Sequence, residues 1–296
     1  MNNLKLQRGF TLVELIMVIV LMGVIGGMVV VFMKSPIDAY FASARRAALM
    51  DTADTVVRRI ARDIQRALPN SINTSGDNLC VEFIPTKTGG RYRADDTAAG
   101  LSFTSARDEN FNMLGSNTTF AAYPIPTDQR IASGDVIVVY NLGITGSDAY
   151  AHDNTASVNG TPTMAAPSPA EETAIAVTSS QPASSPTFPL ASGSNRFQVI
   201  PANEKVVAYV CSGASLHRVA STTLVHICPA TGSVTVSSTD PKVAGNVDCS
   251  GTSTSSWFRY SGSDLMRNAL VSMKLTVTDS GESVTLQHEV HVSNTP

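Results

Sequence analysis

A single acidic side chain interrupts the most apolar stretch of the sequence. Phe10 to Met33 comprises 24 residues, and Glu14 is the only charged one among them. A carboxylate in hydrocarbon costs several kcal/mol even on the lower estimates, so a chain that needed only an anchor would be better without it. Glu14 is therefore the first candidate for a functional residue, and the chemistry that it offers is pairing with a cation.

The histidines do not form a pattern typical of an active site. In the segment "HEVH", His288 and His291 are three residues apart, and on a strand such positions point to opposite faces, so one strand cannot chelate an ion through both. We predict that His288 is a core histidine. The sequence contains no H-E-x-x-H, no G-x-S-x-G and no phosphate-binding loop. We therefore predict neither an enzyme nor a cofactor, and no metal site.

Two acidic pairs remain as weaker candidates. Asp95–Asp96 and Asp108–Glu109 lie in predicted loops. Carboxylates are the usual ligands of calcium, but the spacing of these pairs matches no EF-hand loop. A calcium site there stays open at this point.

The cysteines indicate disulfides. Cys80, Cys211, Cys228 and Cys249 all follow the apolar stretch, and none belongs to a C-x-x-C pair. An even number on the exported side of a membrane predicts two bonds, for which three connectivities exist. Cys228 and Cys249 bracket a polar segment of 20 residues, which favours a Cys228–Cys249 bond. The Cys80–Cys211 bond then follows mainly by elimination.

Charge is unevenly distributed along the chain. The net charge is −3, yet residues 34–68 carry seven basic and four acidic residues, whereas residues 69–296 carry 12 basic and 19 acidic. No aromatic residues alternate with the arginines of 34–68 as a base-stacking surface would require. This pattern favours a solvated or partner-facing arginine stripe on a helix and argues against a nucleic-acid partner.

The N-terminus is typical of a membrane anchor. The apolar run is too long for the h-region of a signal peptide, and at about 1.5 Å per residue it spans about 36 Å, enough to cross a bilayer. Lys5 and Arg8 precede it, so the positive-inside rule keeps residues 1–9 in the cytoplasm and places the body outside the inner membrane.

The remaining pattern predicts an α+β fold. A long helix over about residues 10–68, kinked near Pro36, carries a second apolar stripe that should pack on the body. Strands are expected at 79–85, 134–142, 196–200, 205–211, 215–220 and 256–261, followed by a hairpin of 271–277 and 284–292 around "DSGE". The result is a long kinked helix on an antiparallel β-sheet domain with long polar loops, at residues 143–195 and 229–255.

The motif "RGFTLVELIMVIVLMGVI", residues 8–25, resembles the N-terminus of type IV pilins and pseudopilins. The resemblance implies that a prepilin peptidase cuts between Gly9 and Phe10, and that the new N-terminus at Phe10 is methylated. It also implies that Glu14 pairs with the Phe10 amine of an adjoining subunit as an assembly salt bridge. Gly23 and Gly27 form a small-xxx-small pair that either lets helices pack closely or lets the helix loosen during assembly.

The predicted organisation follows from this resemblance. Residues 1–9 are a cleaved leader, 10–33 a transmembrane and assembly helix, 34–70 a periplasmic stem helix, and 71–296 a β-rich domain with a variable loop at 143–195. The size and the segment "CVEF…GGRYR" are similar to the large minor subunits of J-type pseudopilins, PilW-like proteins and mannose-sensitive haemagglutinin (MSHA) pilus systems.

This similarity implies a minor pilin-like structural subunit that helps to initiate or cap a pilus. Its expected partners are other minor pilins, the major pilin, the prepilin peptidase and the inner-membrane assembly platform. The subunit would begin as a single-pass inner-membrane protein with its body in the periplasm and end in the pilus, at the tip. A tip adhesin that binds through 143–195 and a pseudopilin of a type II secretion system remain as alternatives.

Overall fold

A computed structural model describes residues 9–94, 99–104, 108–117, 125–166, 171–231, 234–262 and 268–296. One helix, α1 (Leu12–Ile64), precedes a β-rich body. The strands are β1 (Asn73–Thr74), β2 (Cys80–Phe83), β3 (Thr88–Tyr92), β4 (Asn110–Leu114), β5 (Val136–Val138), β6 (Thr155–Val158), β7 (Thr163–Ala166), β8 (Glu172–Ser179), β9 (Arg196–Ile200), β10 (Val206–Ser212), β11 (Ser215–Ser221), β12 (Lys242–Gly245), β13 (Trp257–Ser261), β14 (Asn268–Asp279) and β15 (Glu282–Ser293). The predicted α+β class is confirmed.

The helix α1 is continuous over 53 residues and includes Pro36. Proline removes one helical hydrogen bond, and here the helix resumes on its other side. The helix ends at Ile64, slightly before the predicted end near Leu68. Leu68 instead donates its backbone N–H to the carbonyl of Ile84, so the chain has already turned into the body.

The described residues of the body form three antiparallel sheets. One has the order β1-β2-β10-β11-β12, and a second has the order β13-β14-β15. In the third, the order β4-β3-β9-β5-β6-β8 is closed by a further pairing between β4 and β8, with β7 attached to β8. Six strands therefore form a small closed barrel, and closure removes the open edges that an isolated sheet would expose.

The barrel has its own apolar interior. Phe111 and Phe197 meet edge to face, with ring centroids 5.7 Å apart, and the same cluster includes Tyr92, Ile137, Ile175 and Val177. The strands β6 and β8, which complete the ring, come from the segment that we predicted to be a variable loop. That prediction for 143–195 is wrong over β6, β7 and β8, and alternate residues of β8 fill the barrel. The polar segment 229–255 likewise contributes β12 to the five-stranded sheet.

The second half of α1 lies on the three-stranded and five-stranded sheets. Its buried residues pack with the apolar face of the β14–β15 hairpin, as predicted; they are Leu49, Ala53, Val56, Val57, Ile60, Ala61 and Ile64. The hairpin turn is at Ser280 and Gly281, both with positive φ, which suits the tight turn between twisted strands.

One residue of this hairpin differs from the prediction. His288 lies opposite the buried Met273 but is itself exposed. Since β15 is the outer strand of its sheet, its side chains are covered less completely than those of β14. The prediction of a core histidine at this position is therefore wrong.

Both predicted disulfide pairings are also wrong. The bonds are Cys80–Cys228 and Cys211–Cys249. Cys80 lies directly opposite Val210 across β2 and β10, so Cys211, one residue further, points to the other face of the sheet. One bond consequently closes each face: Cys80 and Cys228 lie together with Ala208, whereas Cys211 belongs to the core beneath α1.

Candidate functional site

The N-terminal end of α1 carries the most distinctive candidate residue. Thr11 caps the helix, and its hydroxyl accepts the backbone N–H of Glu14 at 3.3 Å. Glu14 is thereby fixed in the first turn, where the partial positive charge of the helix end favours a carboxylate. Within the described ranges, the side chain of Glu14 forms neither an ion pair nor a hydrogen bond.

The surface around Glu14 is apolar on every side of the helix. Phe10 is 84% exposed, Ile16 52% and Ile25 60%, and no residue of the apolar window contacts the body closely enough to be buried. Among the described helices, α1 is long and apolar enough to cross a membrane. A soluble protein would bury such a surface, so the first half of α1 is built to be covered by lipid or by other helices.

Two glycines on this half leave open space beside the helix. A methyl group built at Gly23 or Gly27 would meet nothing within 4 Å, so the fold of the subunit does not require glycine at either position. Glycine costs about 1 kcal/mol in a helix interior relative to alanine. The cost is consistent with either of the roles proposed from the sequence, close helix packing or loosening during assembly.

A polar cluster fixes the second half of α1 to the body. The carboxylate of Asp63 accepts a hydrogen bond from the hydroxyl of Tyr209 at 2.7 Å and another from Arg218 at 3.3 Å. Arg218 also forms a two-pronged ion pair with Glu204, at 2.7 and 2.9 Å. This pair lowers the pKa of Glu204, and burial together with Asp63 raises the pKa of Tyr209. The cluster holds the stem helix in one register on the sheet.

A second polar cluster lies near the Cys80–Cys228 bond. The fully buried carboxylate of Glu82 accepts the backbone N–H groups of Ile227 and Cys228, at 2.6 and 2.7 Å. It also bonds the ring of His226 at 2.5 Å, and this bond raises the pKa of that histidine. His226 stacks on Tyr150, with ring centroids 3.9 Å apart.

A paired carboxylate and imidazole can serve a hydrolase as orienting group and base. Within the described residues, His226 has no further hydrogen-bond partner, and the hydroxyl of Tyr150 donates to the carbonyl of Ser71. Glu82 therefore fastens the segment 226–228 to β2, and we assign this cluster a structural role.

The residues predicted from sequence separate into two groups. Gly9, Phe10, Glu14, Gly23 and Gly27 lie along one exposed segment, whereas the residues that precede the predicted cleavage bond, 1–8, lie outside the described part of the chain. The cleavage and methylation predictions therefore stay predictions. Asp95 and Asp96 also lie outside the described residues, and among those described no cluster of three metal-ligating side chains occurs.

Sequence reasoning missed three features of this site. The spacing Thr11-x-x-Glu14 is the signature of a helix N-cap and could have been identified. The contacts of Asp63 with Arg218 and of Glu82 with His226 join residues that are distant along the chain, and no local pattern indicates them.

Comparison with known proteins adds one finding. The family model of the prokaryotic N-terminal methylation motif matches residues 4–30. This stretch contains Gly9, Phe10, Glu14, Gly23 and Gly27, and the match supports a membrane-anchored protein of the type IV pilin family that a prepilin peptidase processes. No curated protein and no solved structure matches the chain.

Proposed function

We propose that this chain is a minor pilin-like structural subunit that helps to initiate or cap a type IV pilus of the MSHA type. One observation carries the proposal: the first half of α1 is exposed on all sides, and Glu14 has no partner among the described residues. The methylation motif at residues 4–30 supplies the matching processing step.

The proposed mechanism begins with cleavage between Gly9 and Phe10. Cleavage creates an ammonium group on Phe10, four residues before Glu14 and just outside α1, which begins at Leu12. When α1 helices pack side by side, this ammonium can pair with Glu14 of the adjoining subunit. Desolvation offsets much of the attraction, but a subunit that packs out of register leaves a buried charge unpaired, at a cost of about 3–5 kcal/mol. The pair therefore selects one register.

The body favours a minor role over a repeating one. The subunit has 296 residues and a barrel in addition to the sheets that contact the stem helix, so it is bulky for a subunit that repeats along a filament. At the tip, the barrel would not have to pack between repeating subunits. The N-terminal stretch through "SPIDAYFASARRAALMDTAD" resembles the O subunit of MSHA systems. The expected neighbours are other minor pilins, the major pilin and the inner-membrane assembly platform, with the body on the periplasmic side before assembly.

Two other functions use the same helix. A pseudopilin of a type II secretion system would assemble through the same Phe10–Glu14 pair. A tip adhesin would assemble in the same way and would also bind a ligand. The segment 143–195, through which an adhesin would bind, contributes β6 and β8 to the barrel, which leaves fewer of its residues free to contact a ligand.

The experiment is a mass analysis of the mature chain combined with filament quantification in the native host. We expect an N-terminus at methylated Phe10, and a small number of copies per filament relative to the repeating subunit. Deletion of the gene should reduce filament number, and the wild-type gene should restore it. Loss of protein secretion with normal filaments would favour the pseudopilin, and a mature N-terminus beyond Met33 would overturn the proposal.

A further inference from the structure

The three-stranded sheet has a polar face directed away from α1. Trp257, Lys274 and Gln287 lie opposite one another across β13, β14 and β15, so their side chains form one row on this face. The neighbouring positions on these strands form the other face, where Phe258 and Met273 pack into the core with the stem helix. The row therefore lies on the side of the sheet opposite the stem helix.

Lys274 is an unusual member of this row. Lys274 is only 8% exposed, and among the described residues its ammonium donates to a single acceptor, the carbonyl of Ser253, at 2.5 Å. No described carboxylate forms an ion pair with it; the described ion pairs involve other residues. Lysine is rarely buried unless its charge is paired. The ammonium has two further N–H groups, which are available to an anion.

A second cation lies beside the first. The guanidinium of Arg259 lies over the ring of Trp257, 4.5 Å from the ring centroid, and it forms no ion pair with a described carboxylate. The aromatic ring attracts the guanidinium without neutralising its positive charge. No described residue accepts a hydrogen bond from its N–H groups.

These groups line one cavity of about 500 Å³. The remaining wall consists of hydroxyl and amide groups from the segment 251–256, together with Asn78 and Gln287. Among the described residues of the wall, Asp77 supplies the only carboxylate, and one of its oxygens already accepts the hydroxyl of Ser75 and the backbone N–H of Leu79. The cavity thus has two unpaired cations against one carboxylate.

We propose that this cavity binds a carboxylated sugar, with the carboxylate between Arg259 and Lys274. Arginine is suited to bidentate recognition of a carboxylate. The indole supplies apolar contact for a sugar ring, and the hydroxyl and amide groups of the wall supply partners for sugar hydroxyls. An acidic peptide would satisfy the two cations but would leave most of the neutral polar wall unused, so the sugar fits the cavity better. This function is independent of the role proposed for Glu14.

Tryptophan fluorescence reports on this site directly, because Trp257 is the only tryptophan of the chain. The full-length protein, held in an uncharged detergent without sugar groups, would be titrated with oligogalacturonate at constant ionic strength. Tryptophan emission and calorimetry would be followed together. We expect saturable binding, and at least tenfold weaker binding of the methyl-esterified oligosaccharide.

The variants are chosen to leave the fold intact. Arg259 is exposed, and Arg259→Gln should weaken binding about tenfold or more, since it removes charge-assisted hydrogen bonds to the carboxylate. The matched control is Lys242→Gln, which removes an exposed cation from β12 and should leave binding unchanged. Lys274→Met tests the buried cation and is interpreted only if its unfolding midpoint is retained.

Three outcomes would overturn the proposal. They are an absence of binding to oligogalacturonate, equal binding of its methyl ester, and tighter binding of polyglutamate. The last would identify an acidic-peptide surface. Because the assay needs no filament, its failure would leave the assembly proposal untouched.

Discussion

The two halves of α1 share one continuous backbone but have opposite surroundings. In the second half, Ile60 is 1% exposed and packs on the body, whereas Ile16 in the first half is 52% exposed and contacts nothing of the body. The second half follows the usual rule of an amphipathic helix, with one apolar stripe and one polar face. The first half is apolar all round. From Leu49 to Ile64 the helix is therefore packed on the body of its own chain, whereas the body leaves the first half uncovered.

The same comparison explains why the polar residues differ in character. Asp63 in the second half is fixed by Tyr209 and Arg218 of its own chain. Glu14 in the first half has only the helix cap from Thr11 next to it. Asp63 is thus paired within its own chain, whereas the side chain of Glu14 has no partner among the described residues.

The largest effect on the free energy of unfolding is expected from removing the disulfides of the body, which leaves the first half of α1 unchanged. Replacing Cys80 and Cys228 by serine opens a loop of 148 residues, which should cost about 5 kcal/mol in the chain-entropy model. Replacing Cys211 and Cys249 opens a loop of 38 residues and should cost about 4 kcal/mol. Denaturant unfolding measures both. Recovery of a Cys228–Cys249 peptide under nonreducing conditions would contradict this connectivity.

The next effect tests the contrast between the two halves with a matched pair of substitutions. Ile60→Ala removes buried methyl groups and should lower the free energy of unfolding of the body by about 2–5 kcal/mol. Ile16→Ala makes the same chemical change on the exposed half and should leave that free energy unchanged. Tryptophan fluorescence of the full chain in detergent can follow both unfolding transitions. Equal destabilisation by the two variants would show that the first half also packs on the body.

Parts of this contrast could be predicted from the sequence because they depend on local patterns. The alternation of Val271, Met273, Leu275 and Val277 before "DSGE" identifies the hairpin and its core face. The motif around Glu14 identifies the exposed segment. In both cases neighbouring residues carry the information.

Other parts could not be predicted because they depend on register between distant strands. Whether Cys211 meets Cys80 or Cys249 is decided by a shift of one residue between β2 and β10, which reverses the face of each side chain. The barrel strands carry a local pattern, but that pattern is weak. In β8, Thr173, Ile175 and Val177 are buried at alternate positions, and this alternation was hidden by the surrounding serine, threonine and alanine.

The smallest expected effect is the pH dependence of the stability of the body that arises from His226. The bond to Glu82 raises the pKa of His226, so the protonated histidine stabilises the body. That contribution is fully present below the ordinary histidine pKa of about 6.5 and is lost as the pH rises through the raised value. Because His226 is half exposed, we expect less than about 1 kcal/mol. His226→Gln should remove this part of the pH dependence in denaturant titrations, whereas the exposed control His291→Gln should retain it.

The most direct test of the account concerns Glu14. Glu14→Gln keeps the size of the side chain and removes its charge, and the test measures incorporation into filaments at native expression together with unfolding of the body. An unpaired buried ammonium costs about 3–5 kcal/mol, so incorporation should fall at least tenfold, with Glu14→Asp less affected and the unfolding free energy of the body unchanged in both. Normal incorporation of Glu14→Gln would contradict the claim that this carboxylate acts between subunits.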